Sequence, residues 1–225
     1  MLGIKDTMRE FFIAFFERLT KHCDFKIYLT TILCILILLG LAPGMKYLPA
    51  PYGYENGLFE NIQMVLLFIS CGFALKTQNM EHKKFFTFVF LVLTILILRE
   101  INCGRTIFFA IPGQENAFYS WKQIKYGWLA HPIYGAYMTL VGIYFLKNKI
   151  YLNLINIIKN YKLPIWNILL MLTGMALATY AEEVTHNAIM EEITEMLFYT
   201  ALCSIIYCYS ISKNFLENNK KSDLE

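Results

Sequence analysis

Charge is what this sequence has least of. Asp, Glu, Lys and Arg together make up 16% of its 225 residues, against 57% hydrophobic. A soluble domain carries nearer a quarter charged residues, and a single core of this size cannot take so much apolar surface out of water. The composition therefore excludes one water-soluble globule and favours a bilayer as solvent. Metal-ligand spacing is missing as well: the six cysteines (23, 34, 71, 103, 203 and 208) form no CxxC pair. The chain also has no nucleotide-binding glycine motif, no Walker motif, no CxxCH and no Ser-His-Asp order, which removes the familiar soluble chemistries and any sign of a nucleic-acid partner.

What is present is a series of apolar stretches, at 27–43, 58–75, 85–104, 127–146, 164–182 and 188–211. Each approaches the roughly 20 residues that cross a bilayer as a helix. The expected fold is all-α, a polytopic membrane protein built as a six-helix transmembrane bundle over residues 26–212. It is flanked by an N-terminal amphipathic interfacial helix at 1–25 and a cytoplasmic tail at 213–225. The first segment is not expected to be a signal peptide, because charges recur through it. Its Ile4, Met8, Phe11, Phe12, Phe15, Phe16 and Leu19 follow helical spacing instead.

Residues 165–212 contain no proline and a single glycine, Gly174, too long a run for one crossing at about 1.5 Å per residue. A turn is therefore expected around Thr185-His186-Asn187, where Thr185 or Asn187 caps the next helix and Glu191 and Glu192 fall near its positive end. The stretch 149–162 reads as a second interfacial helix, with Tyr151, Leu154, Ile155 and Ile158 on one face.

Basic residues set the expected orientation. With both termini inside, 15 of the 20 Lys and Arg lie on the cytoplasmic side, leaving Lys46, Arg99, Arg105, Lys122 and Lys125 outside. Nine of the 17 acidic residues fall on that outer side, which becomes net acidic. Frequent Lys, Asn and Ile suit a bacterial cytoplasmic membrane.

Ionisable residues inside the spans converge on this outer side. Arg99 and Glu100 end the third span about a turn inside the membrane edge, where a charge costs up to roughly 2.5–3.5 kcal/mol at full depth and calls for a partner. Glu60 and Gln63 open the second span, His131 opens the fourth, Glu182, Glu183 and His186 close the fifth, and Glu191, Glu192 and Glu195 open the sixth. Glu183-x-x-His186 has the ligand spacing of carboxylate-bridged metal sites in helical bundles, and Glu192-x-x-Glu195 repeats the spacing with two acids. With His131 these residues form a candidate set for a divalent metal such as Zn, Fe or Mn. Glu60, Arg99, Glu100, Arg105 and Glu195 form a candidate catalytic set, in which the arginines hold a phosphate or carboxylate.

Plainer roles stand beside these. Glu191 and Glu192 also suit the helix dipole, Arg99 with an acid is also a structural ion pair, and His131 before Pro132 is also a helix-start residue. The loop 105–126 is the longest on the outside, and its 106–111 run is a candidate lid. Two function classes follow. One is a membrane-embedded enzyme, with or without a metal, acting on a lipid or lipid-linked substrate from the outer leaflet. The other is a non-enzymatic membrane protein, an ion-responsive subunit or one that binds a protein partner or its own copies, whose outer-face ion pairs are structural. A channel or carrier fits neither the apolar inner halves of the spans nor the lack of inverted repeats.

Overall fold

The computed structural model describes residues 21–77 and 79–220, and these are almost entirely helical. In chain order the helices are α1 (Leu29–Tyr47), α2 (Leu58–Leu75), α3 (Lys83–Glu100), α4 (Ala130–Lys147), α5 (Ile150–Asn160), α6 (Ile165–Tyr180), α7 (Ala188–Ser210) and α8 (Lys213–Asn219). The long helices alternate in direction. α2 and α7 run parallel, with Gln63 on Glu192 at their starts and Thr77 on Ser210 at their ends, whereas α3 runs against them and brings Arg99 at its end to Glu195 near the start of α7.

Four helical stretches, 29–47, 50–75, 127–147 and 165–185, are long and apolar enough to cross a membrane. A fifth joins them if 80–100 and 102–108, bent by 55°, count as one span. That is four or five where the sequence suggests six. α7, the expected sixth, differs in kind: it carries Glu191, Glu192 and Glu195 in its first turns and packs against α1, α2 and α6 at the centre of the bundle. Buried on it are Ile193, Leu197, Tyr199, Ala201 and Ile206. α1 and α4 instead turn side chains such as Leu29, Leu39, Ile133 and Leu140 outward.

Glycine sets the closest helix approach. A Cβ at Gly174 on α6 would stand 2.7 Å from the Phe198 backbone nitrogen on α7, so the two backbones touch where only hydrogen fits. Below this contact lies a buried polar network. The Thr31 hydroxyl donates to Asn167 Oδ1 (2.6 Å), Asn167 Nδ2 donates to Ser204 Oγ (2.6 Å), and Thr30 shares a hydrogen bond with Ser204. It ties the first turns of α1 and α6 to the C-terminal part of α7.

The expected turn between the last two long helices is present. Ala181–Thr185 widens into a π turn, His186 takes a left-handed backbone (φ 50°), and the Asn187 side chain caps α7 by accepting from the Met190 N–H at 3.0 Å. The third span stops earlier than expected, at Glu100 and not Gly104, because Asn102, Cys103 and Gly104 all take positive φ and turn the chain.

Most of the N-terminal interfacial helix expected at 1–25 lies outside the described residues. Its last residues are not helical: Cys23–Asp24 forms a two-residue parallel strand pair with Leu163–Pro164. The expected tail is also more ordered than a tail. α8 buries Phe215 against Tyr28 and Tyr209, and Lys220 bridges Tyr161. The Tyr28 hydroxyl donates to Asp24, and burial, reinforced by that carboxylate, pushes the phenol above its ordinary range. α5 buries Ile150 and Ile157 and leaves Tyr151, Leu154, Ile155 and Ile158 half-exposed, as an amphipathic surface helix does.

Candidate functional site

Four carboxyl groups from three helices gather at the end of the bundle where α3 stops and α7 begins. Glu60, in the first turn of α2, reaches back to accept from the Asn56 N–H and is 6% exposed. One turn on, Gln63 is fully buried, and its Nε2 donates to both the Glu192 carboxylate (2.8 Å) and the Glu192 backbone carbonyl (3.0 Å). Three residues along α7, and so on the same face, Glu195 accepts from the Arg99 guanidinium. Glu100 is neighbour to Arg99 on α3 (Nε to Oε1 3.6 Å) and accepts a 2.6 Å hydrogen bond from the Tyr199 hydroxyl. The acid side chains of Glu100 and Glu195 are 7% and 12% exposed, whereas that of Arg99 is 54% exposed. The guanidinium is thus the open side of the cluster.

The local sequence explains the convergence. Arg99 and Glu100 close a helix that the Asn102-Cys103-Gly104 kink ends, so both side chains sit at its rim. Glu192, Glu195 and Tyr199 recur every three or four residues on a helix that opens immediately after the His186-Asn187 turn. Glu192 is electrostatically coupled to Glu60, Glu100 and Glu195, so the four acids act on one another as one cluster. A single arginine stands against them.

Two cavities lead away from the cluster between α3 on one side and α6 with α7 on the other. One, about 250 Å³, is lined by Arg99, Glu182, Glu195 and Tyr199 among apolar neighbours. The other, about 420 Å³, is lined only by side chains such as Phe88, Val92, Leu202 and Ile205, with no charged residue. Leu96 lines both and is the wall they share, so an apolar cavity lies beside one that holds an ion pair.

Of the candidate catalytic residues, the structure brings together Glu60, Arg99, Glu100 and Glu195, and leaves Arg105 out. Arg105 lies past the kink on a single helical turn, Arg105–Phe108, with its guanidinium against the Asn102 side chain and over the Phe118 ring (5.9 Å). The metal set does not assemble. Glu183 and His186 are exposed on the π turn, whose extra residue and left-handed end destroy the helical register that Glu-x-x-His requires. His131 is exposed at the start of α4, edge-on to Trp121 at 5.9 Å. Only Glu192 of that set faces the acid cluster. Among the described residues no three His, Cys, Asp or Glu side chains are close enough to hold a metal ion.

Sequence reasoning missed Tyr199 and gave Gln63 only a minor part. The signal for Tyr199 was its position four residues after Glu195, which puts it on the acid face of α7. The candidate lid is tied down beside the cluster: Asn56 Nδ2 donates to the Thr106 carbonyl, and the Glu55 N–H to Asn116 Oδ1 at 3.0 Å.

The fold and the site thus define an all-helical protein with several membrane-length apolar helices and a buried carboxylate cluster at one end. No family model, curated protein or solved structure matches the chain.

Proposed function

We propose that this chain is a six-span membrane protein, with both termini cytoplasmic, that performs acid–base chemistry on a lipid or lipid-linked substrate from the outer leaflet. The observation that carries the reading is a pair of adjacent cavities: a hydrocarbon-lined one that shares Leu96 with a second, lined by Arg99, Glu195 and Tyr199, and that makes a groove for a substrate where Leu96 gives way. A long-chain substrate fits such a groove with its tail along α3 and α7 and its headgroup at the charged end. α7 then crosses as the sixth span, its acids screened from hydrocarbon by α1, α2 and α6.

The roles follow from the contacts. Arg99 is half-exposed and keeps free N–H donors for an anionic headgroup oxygen. Glu100, positioned by Tyr199, and Glu192, positioned by Gln63, are the acids placed to take or give a proton. Glu195 holds Arg99 in place. The reading needs no metal; the scattered placement of Glu183, His186 and His131 speaks against a metal centre built on them.

A non-enzymatic reading draws support from the same pairs, since Arg99–Glu195 and Tyr199–Glu100 also tie α3 to α7. The test separates the two. Lipid extracts of cells producing the wild-type chain or Glu100→Gln, at equal protein level, are compared by mass spectrometry. A lipid species that accumulates with the variant and is consumed by the wild type is the expected result. Identical lipid profiles overturn the enzymatic reading.

A further inference from the structure

The acid cluster holds many more acceptors than donors. Each of its four carboxylates has one oxygen met by the protein: Glu60 by the Asn56 N–H, Glu100 by the Tyr199 hydroxyl, Glu192 by Gln63 Nε2 and Glu195 by Arg99. The second oxygen of each meets no donor among the described residues. Gln63 adds an independent sign. Its side chain is fully buried, its Nε2 is spent on Glu192, and its Oε1 has no hydrogen-bond partner, although a buried acceptor is ordinarily satisfied. Negative charge is also in surplus, with one guanidinium against four carboxyl groups.

We infer that the cluster is a binding site for a primary ammonium group, with Gln63 Oε1 and the free oxygens of Glu192 and Glu60 as its acceptors. This rests on the lipid reading above only for the source of the amine. A divalent metal ion suits the charge but not the geometry: it gathers oxygen ligands within about 2.0–2.6 Å of one point, and no three acidic, histidine or cysteine side chains among the described residues come that close. An ammonium carries three N–H donors that reach acceptors at about 2.7–2.9 Å, and two carboxylates with one neutral amide oxygen suffice for it. A headgroup with a phosphate at Arg99 and an amine among the acids would match the cluster from its open side inward.

The test uses the full chain, purified from vesicles of phosphatidylethanolamine, phosphatidylcholine or phosphatidylglycerol with identical acyl chains, with retained lipid measured by native mass spectrometry. Phosphatidylcholine keeps the positive charge without N–H donors, and phosphatidylglycerol offers hydroxyl donors without the charge. Retention of phosphatidylethanolamine at least about tenfold above both is expected, since charge-assisted hydrogen bonds are the strong ones. Glu192→Gln, close to isosteric, and Gln63→Leu should bring it down to the other two. Should Gln63→Leu fail to fold, Glu192→Gln decides. Equal retention of the three lipids by the wild type, or a preference that survives Glu192→Gln, overturns the inference and leaves the lipid reading standing. If free ethanolamine raises the melting temperature of the wild type but not of Glu192→Gln, while no lipid is retained, the amine site stands and the lipid reading falls. With neither effect, both fall.

Discussion

Two polar clusters are buried against the same helix. Toward the C-terminal part of α7, Asn167 spends its amide oxygen and nitrogen on Thr31 and Ser204, and every member of the group has a partner. At the start of α7, Glu60, Glu100, Glu192 and Glu195 share one arginine, and Gln63 keeps a buried oxygen that no described residue meets. Asn167 and Gln63 are equally buried amides, so burial alone does not mark a site. A closed hydrogen-bond network fixes helix position and offers a ligand nothing. An open one stores unfavourable energy that a fold tolerates when a ligand relieves it.

The largest expected effect is at the closed network. Asn167→Leu removes the Asn167 bonds of the Thr31 and Ser204 hydroxyls, which keep the Tyr28 N–H and Thr30 as partners, and a loss of about 1–3 kcal/mol is expected, at roughly 0.5–1.5 kcal/mol per hydrogen bond. Thermal unfolding in detergent measures it. Lipid retention, corrected for the folded fraction, should stay as in the wild type. Retention that falls with Asn167→Leu would break the contrast, making the Asn167 network part of the site.

The opposite pattern is expected at the acid cluster. Glu192→Gln removes one of four mutually repelling carboxylates and keeps an acceptor for Gln63 Nε2. Without ligand, the variant should be more stable than wild type by about 1 kcal/mol, a shift of roughly 2–4 °C for a chain of this size. The same substitution removes the amine preference. A variant that melts below wild type would show that the carboxylates are held for stability, and the contrast between the clusters would disappear.

Much of this architecture was legible before any coordinates. Hydrophobic runs at 58–75 and 188–211 fall within a residue of α2 and α7, because long apolar segments bounded by turns leave little choice. The turn at Thr185-His186-Asn187 followed from length alone, and Asn187 caps as a polar residue at a helix start does. The kink after Glu100 is harder to see: Asn102 and Gly104 are residues that tolerate positive φ, while Cys103 takes it without a sequence signal. At the site, the depth of Glu60, Arg99, Glu100 and Glu195 was readable, since charges in apolar runs must find partners. Which face each side chain takes was not. Arg105 groups with Arg99 in the sequence because the kink that separates them is unseen there, whereas Glu183-x-x-His186 already straddles the expected Thr185-His186-Asn187 turn, which breaks its register. Asn167 passes unnoticed at the head of an apolar run, where a lone amide is itself the clue to the buried network.

The smallest effect expected lies at the far end of the bundle and asks whether closed pairing is structural there as well. Tyr28 donates to Asp24 where the Cys23–Asp24 strand meets Leu163–Pro164, and α8 covers the ring through Phe215. Tyr28→Phe keeps the packing and removes one hydrogen bond, so a loss of about 0.5–1.5 kcal/mol at neutral pH is expected, with lipid retention unchanged. The sign of the pH dependence is set by the raised phenol. The folded state holds the Tyr28 proton more tightly than the unfolded chain, so this contribution is whole below about pH 10, the ordinary tyrosine value, and is lost as pH rises above it. The variant should therefore lose stability less steeply than wild type in the alkaline range, and parallel alkaline curves would show that the Tyr28–Asp24 pair contributes nothing to holding the strand and α8 in place.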